Sequence, residues 1–169
     1  VYNFIKNKFK KRDSIDMIVK GSNWNLVSNS FHFIRLFEWI NNSKISKIKS
    51  NEIKGWFRSK RKGYWEADGK IICKLKNGAV CRLISQKKIN INKNYNVSLN
   101  SKYLNIKYDE MKGKLAINNS LNSKIKRIPF VSEDTKDLTK KIYSNKKINL
   151  PNIKQSYMVH KKIIQSLLP

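Results

Sequence analysis

The dipeptide Asn77-Gly78 lies between two apolar runs, Ile71 to Leu75 and Ala79 to Ile84. Asn-Gly is strongly favoured at the centre of a type I′ turn, because such a turn needs positive φ angles that these two residues tolerate. The pattern therefore predicts a β-hairpin with a two-residue loop, and with it a protein rich in β-strands.

The two cysteines of the chain, Cys73 and Cys81, flank this turn. A two-residue type I′ loop pairs Leu75 with Val80 and Cys73 with Arg82, so that the two thiols point to opposite faces of the hairpin. That register disfavours a disulfide, and two cysteines without a suitable histidine cluster do not make a zinc site. We expect free thiols in a reducing interior, and no bound metal.

Strand patterns recur on both sides of the hairpin. Residues 15 to 18 and 31 to 39 read as strands, the second with aromatic side chains on one face at a period of two, and residues 53 to 58 predict another short strand. Residues 88 to 118 interleave apolar residues with Asn and Lys and predict two or three more strands. Residues 125 to 131 predict a further strand at a sheet edge, because Pro129 lies near its end.

Helical signals are confined to the C-terminal part of the chain. Ser132 is a suitable N-cap for a short helix from about residue 133 to 143. Pro151 suits the first position of a second helix, whose apolar stripe comprises Ile153, Tyr157, His160, Ile164 and Leu168. We expect a basic arm at residues 1–13 that orders on a partner, a β-domain at 14–149 and a helical extension at 150–169.

The charge of the chain is strongly positive, with 37 Lys and Arg against 11 Asp and Glu and a net charge of +26. A small protein with this charge repels itself unless a polyanion surrounds it, so nucleic acid is the expected partner. A solvated cationic surface and an anionic membrane surface stay open as alternatives. No apolar run is long enough to span a bilayer.

Basic residues cluster between positions 49 and 76, beside aromatic residues suited to stacking on unpaired bases, Trp56, Tyr64 and Trp65. We expect phosphate contacts from this cluster and from a second pair of basic residues near position 126. The predicted RNA-binding residues are Lys49, Lys54, Arg58, Lys60, Arg61, Lys62, Lys70, Lys74, Lys76, Lys126 and Arg127.

Catalytic patterns are weak in the sequence. His32 falls inside a predicted strand and His160 inside a predicted helical stripe, with no nucleophile or base near either, and no glycine-rich phosphate loop occurs. The acids Glu133, Asp134 and Asp137 favour helix capping over a metal-dependent nuclease site. We therefore expect no enzyme, no catalytic residue and no cofactor.

Three motifs in order resemble the L-fourteen family of large-subunit ribosomal proteins. Arg58-Ser59-Lys60-Arg61 corresponds to the family's basic strand end, Asp68-Gly69 to its Asp-Gly loop and Asn77-Gly78-Ala79-Val80 to its hairpin. The resemblance implies a mainly β fold, a small five-stranded β-barrel with a β-ribbon, one or two short C-terminal helices and an insertion around residues 86–123. It further implies binding to large-subunit ribosomal RNA at the subunit interface, with L-three and L-nineteen proteins as neighbours and a bridge to small-subunit RNA.

These observations lead to the hypothesis of a structural protein of an organellar ribosome. A mitochondrial location is expected, with a plastid-type organelle as the alternative, since the Lys-, Asn- and Ile-rich composition is typical of AT-rich genomes. Two rival hypotheses stay open, a small basic RNA-processing enzyme or nuclease and a cationic protein of the membrane surface.

Overall fold

A computed structural model describes residues 2–10, 13–89, 91–109, 112–118, 120–122, 136, 139–144 and 152–168. The elements in chain order are α1 (Tyr2–Lys8), β1 (Asp16–Ser22), α2 (Leu26–Asn41), β2 (Ile45–Arg58), β3 (Trp65–Leu75), β4 (Val80–Gln86), β5 (Asn94–Asn100), β6 (Asn105–Asp109), β7 (Lys114–Ile117), β8 (Ser120–Asn122) and α3 (Ile153–Leu167). Residues 136 and 139–143 are also helical. None of the described helices is long and apolar enough to cross a membrane.

The strands form one mixed sheet of eight strands in the order β2-β3-β4-β1-β5-β6-β7-β8. β1 pairs with β4 in parallel, and the other neighbours along this order pair antiparallel. The parallel pair needs a long crossover, which α2 and the β2–β3 hairpin supply. The expected five-stranded β-barrel is therefore wrong, because the described strands number eight and β2 and β8 stand at opposite ends of their order.

The predicted strand at residues 31 to 39 is wrong, because this segment lies inside α2. The buried positions of α2 follow the helical repeat of three to four residues over the whole helix: Leu26, Ser30, Phe33, Ile34, Phe37, Glu38 and Ile40. The aromatic residues imitate a period of two only within a short window. Asn25 and Asn42 flank the helix in the left-handed conformation, which asparagine tolerates better than most residues.

The hairpin at Asn77-Gly78 is confirmed, but its predicted register is wrong. The N–H of Leu75 donates to the carbonyl of Ala79 at 2.9 Å, and of the two turn residues only Gly78 has a positive φ, at 89°. The loop therefore has three residues and a left-handed glycine rather than two residues of type I′. This change brings Cys73 opposite Cys81, both buried and free, instead of on opposite faces.

The segment from residue 86 to 123 continues the sheet. β5 pairs along its full length with β1, and β6, β7 and β8 extend the sheet from there. The predicted two or three strands between residues 88 and 118 are confirmed as β5, β6 and β7. The stretch was expected to be an insertion only because of the ribosomal resemblance.

Both ends of the described chain pack against the core. α1 lies within the predicted basic arm, and its Ile5 is fully buried in the hydrophobic core. α3 begins after Asn152, whose side chain accepts a hydrogen bond from the N–H of Gln155 in a capping box. Its buried residues are Val159 and Ile163, so the predicted stripe is wrong: it is made largely of exposed residues.

Some predictions lie outside the described residues. They are the strand at 125 to 131, the start of the helix at 133, the basic residues Lys126 and Arg127, and the acids Glu133, Asp134 and Asp137.

Candidate functional site

A cavity of about 780 Å³ opens between the first half of α2, the second half of α3 and the loop that joins β2 to β3. α2 contributes polar and aromatic side chains, α3 contributes His160 and apolar residues, and the loop contributes basic and aromatic ones. Its polar and aromatic wall includes Asn25, Ser28, Asn29, Phe31, His32, Tyr64 and Trp65. The volume lies within the range of small-molecule sites in proteins.

Two histidine rings of this cavity lie against the ring of the same phenylalanine, Phe31. The imidazole of His160 stacks on the ring of Phe31 with the centroids 4.0 Å apart, and the ring of His32 lies 5.5 Å from the same ring. Burial lowers the pKa of His32 below its ordinary value, and the charge of His160 lowers that pKa further. His32 is therefore neutral at pH 7 and able to accept a proton.

A buried carboxylate holds the wall of the cavity at the start of α2. Glu66, only 2% exposed, accepts a hydrogen bond from the N–H of Val27 at 2.9 Å and one from the N–H of Ser28 at 3.3 Å. These amides belong to the first turn of the helix, where backbone donors have no partner within the helix. The negative charge also suits the positive end of the helix dipole. Glu66 thus joins β3 to α2 and positions the turn that carries Ser28.

The loop between β2 and β3 forms the basic side of the cavity. Its shape is held by hydrogen bonds from the N–H of Ser59 to the carbonyl of Tyr64, at 2.9 Å, and from the N–H of Tyr64 to the carbonyl of Arg61, at 3.2 Å. Lys60 and Arg61 line the cavity from this loop, while the indole of Trp65 and the phenol of Tyr64 are more than half exposed. The arrangement offers aromatic surfaces and hydrogen-bond donors to a polar ligand.

Five of the predicted RNA-binding residues line cavities, and they are divided among three of them. Lys60 and Arg61 line the cavity of the two histidines, Lys54 and Lys70 line a second cavity beside Asp68 and Gly69, and Lys76 lines a third. The others described are distributed over β2, the loop and β3: Lys49, Arg58, Lys62 and Lys74. Lys126 and Arg127 lie outside the described residues.

The residues at the centre of the cavity, His32 and His160, were not selected from the sequence. Once residues 26 to 41 are taken as a helix, Ser28 and His32 are four positions apart and lie on one face. This helical period was the available signal for the α2 side of the cavity. No pattern in the sequence indicated that His160 on α3 would lie close to Phe31 and His32. Within the described ranges, no group of three or more His, Cys, Asp or Glu is arranged to hold a metal ion.

No family model matches the chain, and no curated protein sequence matches it. Solved structures do share its fold. UDP-N-acetylglucosamine 3-dehydrogenase GnnA from Acidithiobacillus ferrooxidans has a TM-score of 0.67 at 9% identity, over 98% of this chain and 55% of that one. A levoglucosan dehydrogenase in complex with NADH and levoglucosan has a TM-score of 0.65 at 12% identity, over 98% and 59%. The super-repressor mutant of Gal80p from Saccharomyces cerevisiae has a TM-score of 0.62 at 13% identity, also over 98% and 59%.

Two of these three neighbours are dehydrogenases and none of the three is a ribosomal protein, so the resemblance to the L-fourteen ribosomal family is wrong. The chain spans little more than half of their length, and at such identities the likeness shows the fold alone. The motifs that suggested the ribosomal family have a local cause. Gly69 sits in β3 at a φ of 130° opposite an irregularity in β2, and Gly78 makes the hairpin turn. Glycines of this kind occur in many unrelated sheets.

Several functional expectations are overturned together with the family. The structural role in a ribosome, the partners that went with it (ribosomal RNA of either subunit, L-three and L-nineteen proteins) and the expectation that the chain is not an enzyme are contradicted by dehydrogenase and oxidoreductase neighbours. The RNA-processing alternative has no support either. The membrane-surface alternative stays untested. The mitochondrial location stays a prediction.

The NADH named with the levoglucosan dehydrogenase allows a test of fit. Dinucleotide-binding folds hold the pyrophosphate at the N-terminus of a helix that follows a strand and a glycine-rich turn. In this chain α2 follows β1 through Asn23, Trp24 and Asn25, and the amides of Val27 and Ser28 already donate to Glu66. The β1–α2 unit therefore does not fit a dinucleotide.

Proposed function

We propose that this chain forms the substrate-binding part of an oxidoreductase that acts on a hydroxyl group of a sugar or sugar derivative, with His32 as the proton acceptor. The observation that carries this proposal is the convergence of His32 and His160 on a cavity of about 780 Å³. A neutral imidazole at the wall of a large cavity is a common arrangement for a general base.

The chemistry of the cavity supports a polyhydroxylated substrate. Asn25 and Ser28 offer amide and hydroxyl groups that both donate and accept hydrogen bonds, as a sugar requires. The amide nitrogen of Asn29 already donates to the carbonyls of Trp24 and Asn25, so Asn29 offers its amide oxygen as an acceptor. The exposed faces of Tyr64 and Trp65 are suited to the apolar face of a sugar ring. Two of the structural neighbours bear names that refer to carbohydrates, UDP-N-acetylglucosamine and levoglucosan.

Oxidation of an alcohol to a ketone releases a proton from the hydroxyl oxygen and transfers a hydride from the neighbouring carbon to an oxidant. That oxidant is a hydride acceptor held outside the β1–α2 unit, and it takes both electrons of the carbon–hydrogen bond that breaks. His32 is assigned to accept that proton, because the lowered pKa keeps its imidazole neutral at pH 7. His160 acts as a positioning residue: it stacks on Phe31 and disfavours the protonated form of His32. The β1–α2 unit does not fit a nicotinamide nucleotide, so the share of the reaction assigned here is substrate binding and proton transfer.

A pH titration by NMR of the ring protons tests the state of His32 without any knowledge of the substrate. The pKa of His32 is expected below the ordinary value of 6.5, and the variant His160→Asn is expected to raise it towards that value because one of its two causes is removed. A pKa of His32 at or above 6.5 in the unmodified protein would contradict the proposed proton acceptor.

A panel of sugars tests the function itself. UDP-N-acetylglucosamine, levoglucosan and simple hexoses are added to the protein, and the resonances of His32 and His160 are followed for a saturable shift. His32→Asn is expected to weaken the binding of a sugar that produces this shift, because the imidazole is assigned to the hydroxyl group that reacts. The control His160→Asn is expected to keep the binding and to change only its dependence on pH. If no sugar shifts either histidine, the proposal is wrong.

A further inference from the structure

The third cavity, which Lys76 lines, lies apart from the cavity of the two histidines. It measures about 370 Å³ and is enclosed by α2, the segment before β2, the turn between β3 and β4, and α3. Its basic lining residues come from all four places: Arg35, Lys44, Lys76, Lys154 and Lys162. It shares no lining residue with the cavity of His32, so a ligand bound here is independent of the function proposed for that cavity.

The carboxylate among its lining residues, Glu38, is already fully engaged. One oxygen of Glu38 forms an ion pair with Arg35, and the other accepts a hydrogen bond from the N–H of Ile45 at 3.1 Å. Lys162 donates through Nζ to the carbonyl of Ile45 at 2.9 Å. Among the ion pairs of the described part of the chain, none involves a lysine of this cavity. Within the described ranges, the cavity therefore has an excess of positive charge that no neighbouring acid compensates.

The guanidinium of Arg35 belongs to the lining, where it forms the ion pair with Glu38. The rest of the lining is partly apolar, with Ile45, Met158 and Val159. The cavity thus combines several cations with a short apolar wall.

We propose that this cavity binds a small molecule carrying a phosphate or diphosphate group. Four lysines and an arginine that converge from separate elements suit a multivalent oxyanion better than a single carboxylate. Lys44 and Lys154 are exposed at the cavity and supply point charges to the oxyanion. A volume near the lower end of the range for ligand sites indicates a compact ligand.

Calorimetric titration with inorganic pyrophosphate and with AMP, at about 0.15 M ionic strength, tests the site. The double variant Lys44→Gln/Lys154→Gln removes two cavity lysines. The matched control Lys47→Gln/Lys161→Gln removes the same charge from exposed lysines on β2 and α3 that line neither cavity. Saturable binding is expected in the unmodified protein, about 10- to 100-fold weaker in the cavity variant and within about twofold in the control.

Equal weakening in both variants would show that the net charge of +26 attracts anions without a site, and would overturn the proposal. If neither pyrophosphate nor AMP binds saturably, the proposal of a soluble phosphate ligand is wrong. A separate arm with phosphatidic acid vesicles distinguishes a lipid phosphate from a soluble one. Sedimentation with vesicles that is lost in the cavity variant, but kept in the control, would assign the same site to a lipid headgroup. The absence of both kinds of binding leaves no phosphate site.

Discussion

The buried carboxylate of Glu66 is the residue whose replacement most directly tests how the first cavity is built. Glu66→Gln keeps the size and one acceptor oxygen but removes the charge that meets the N–H groups of Val27 and Ser28. The change also places an amide NH₂ group next to backbone donors, which it cannot satisfy. We expect the variant to fold with the first turn of α2 less firmly held.

The expected loss in the free energy of unfolding depends on the two hydrogen bonds and on the charge at the helix end. A hydrogen bond to a charged group contributes about 1.5–3 kcal/mol, compared with about 0.5–1.5 kcal/mol for a neutral one. A partly buried charge at a helix terminus adds up to about 2 kcal/mol. Release from the cost of burying the carboxylate offsets part of this loss. The expected net loss is about 2 kcal/mol, which lowers Tm by roughly 4–8 °C for a chain of this size.

Urea unfolding at equilibrium measures the loss, and Glu52→Gln is the matched control. Glu52 is half exposed and pairs with Lys70 at 2.8 Å on the same sheet. An exposed ion pair of this kind contributes less than about 1 kcal/mol, so the control is expected to lose a few tenths at most. If Glu66→Gln destabilises the protein no more than Glu52→Gln does, the assignment of Glu66 as the support of α2 is wrong.

Three further results are expected. Gly69→Ala destabilises by about 2 kcal/mol or more in urea unfolding, since φ is 130° and the added Cβ would lie 2.2 Å from the carbonyl oxygen of Glu52; an unchanged midpoint would contradict this. Cys73 and Cys81 react with a thiol reagent at pH 8 only as the protein unfolds, because burial raises the pKa of Cys73 to about 12 and that of Cys81 well above its usual value. Because the pKa of His32 is lower in the folded protein than in the unfolded chain, the unfolded chain binds the proton more readily than the folded one. The free energy of unfolding therefore has its full value above pH 6.5 and falls as the pH drops below it. His32→Gln reduces that fall, and identical pH curves for the two proteins would refute the lowered pKa.

Short-range features of the structure were predictable from the sequence. The hairpin at Asn77-Gly78, the strands between residues 88 and 118 and a helix near the C-terminus are all indicated by turn chemistry or by periodicity. Their details were less predictable. Gly78 alone takes the left-handed conformation, and one extra loop residue shifted the partner of Cys73 from Arg82 to Cys81. Turn residues restrict the conformation of a loop without stating its length.

The segment from residue 31 to 39 shows why a local period can mislead. Its aromatic residues alternate within nine positions, whereas the burial of Leu26, Ile34 and Ile40 has a helical period over the full length of α2. The resemblance to a ribosomal family failed for a related reason. It depended on Asp68-Gly69 and Asn77-Gly78, whose glycines have positive φ angles that β3 and the turn after it require.

By itself, the sequence determined where the chain turns, which segments carry strand periodicity and how positive the protein is, because these are properties of adjacent residues. The tertiary structure alone decided that β1 pairs with β4 and β5, that Glu66 reaches the start of α2 and that His32 and His160 share one cavity. Such contacts join residues far apart in the chain, and their geometry depends on how α2 and α3 pack against the same sheet. Burial, and with it the lowered pKa of His32, exists only once that packing is complete.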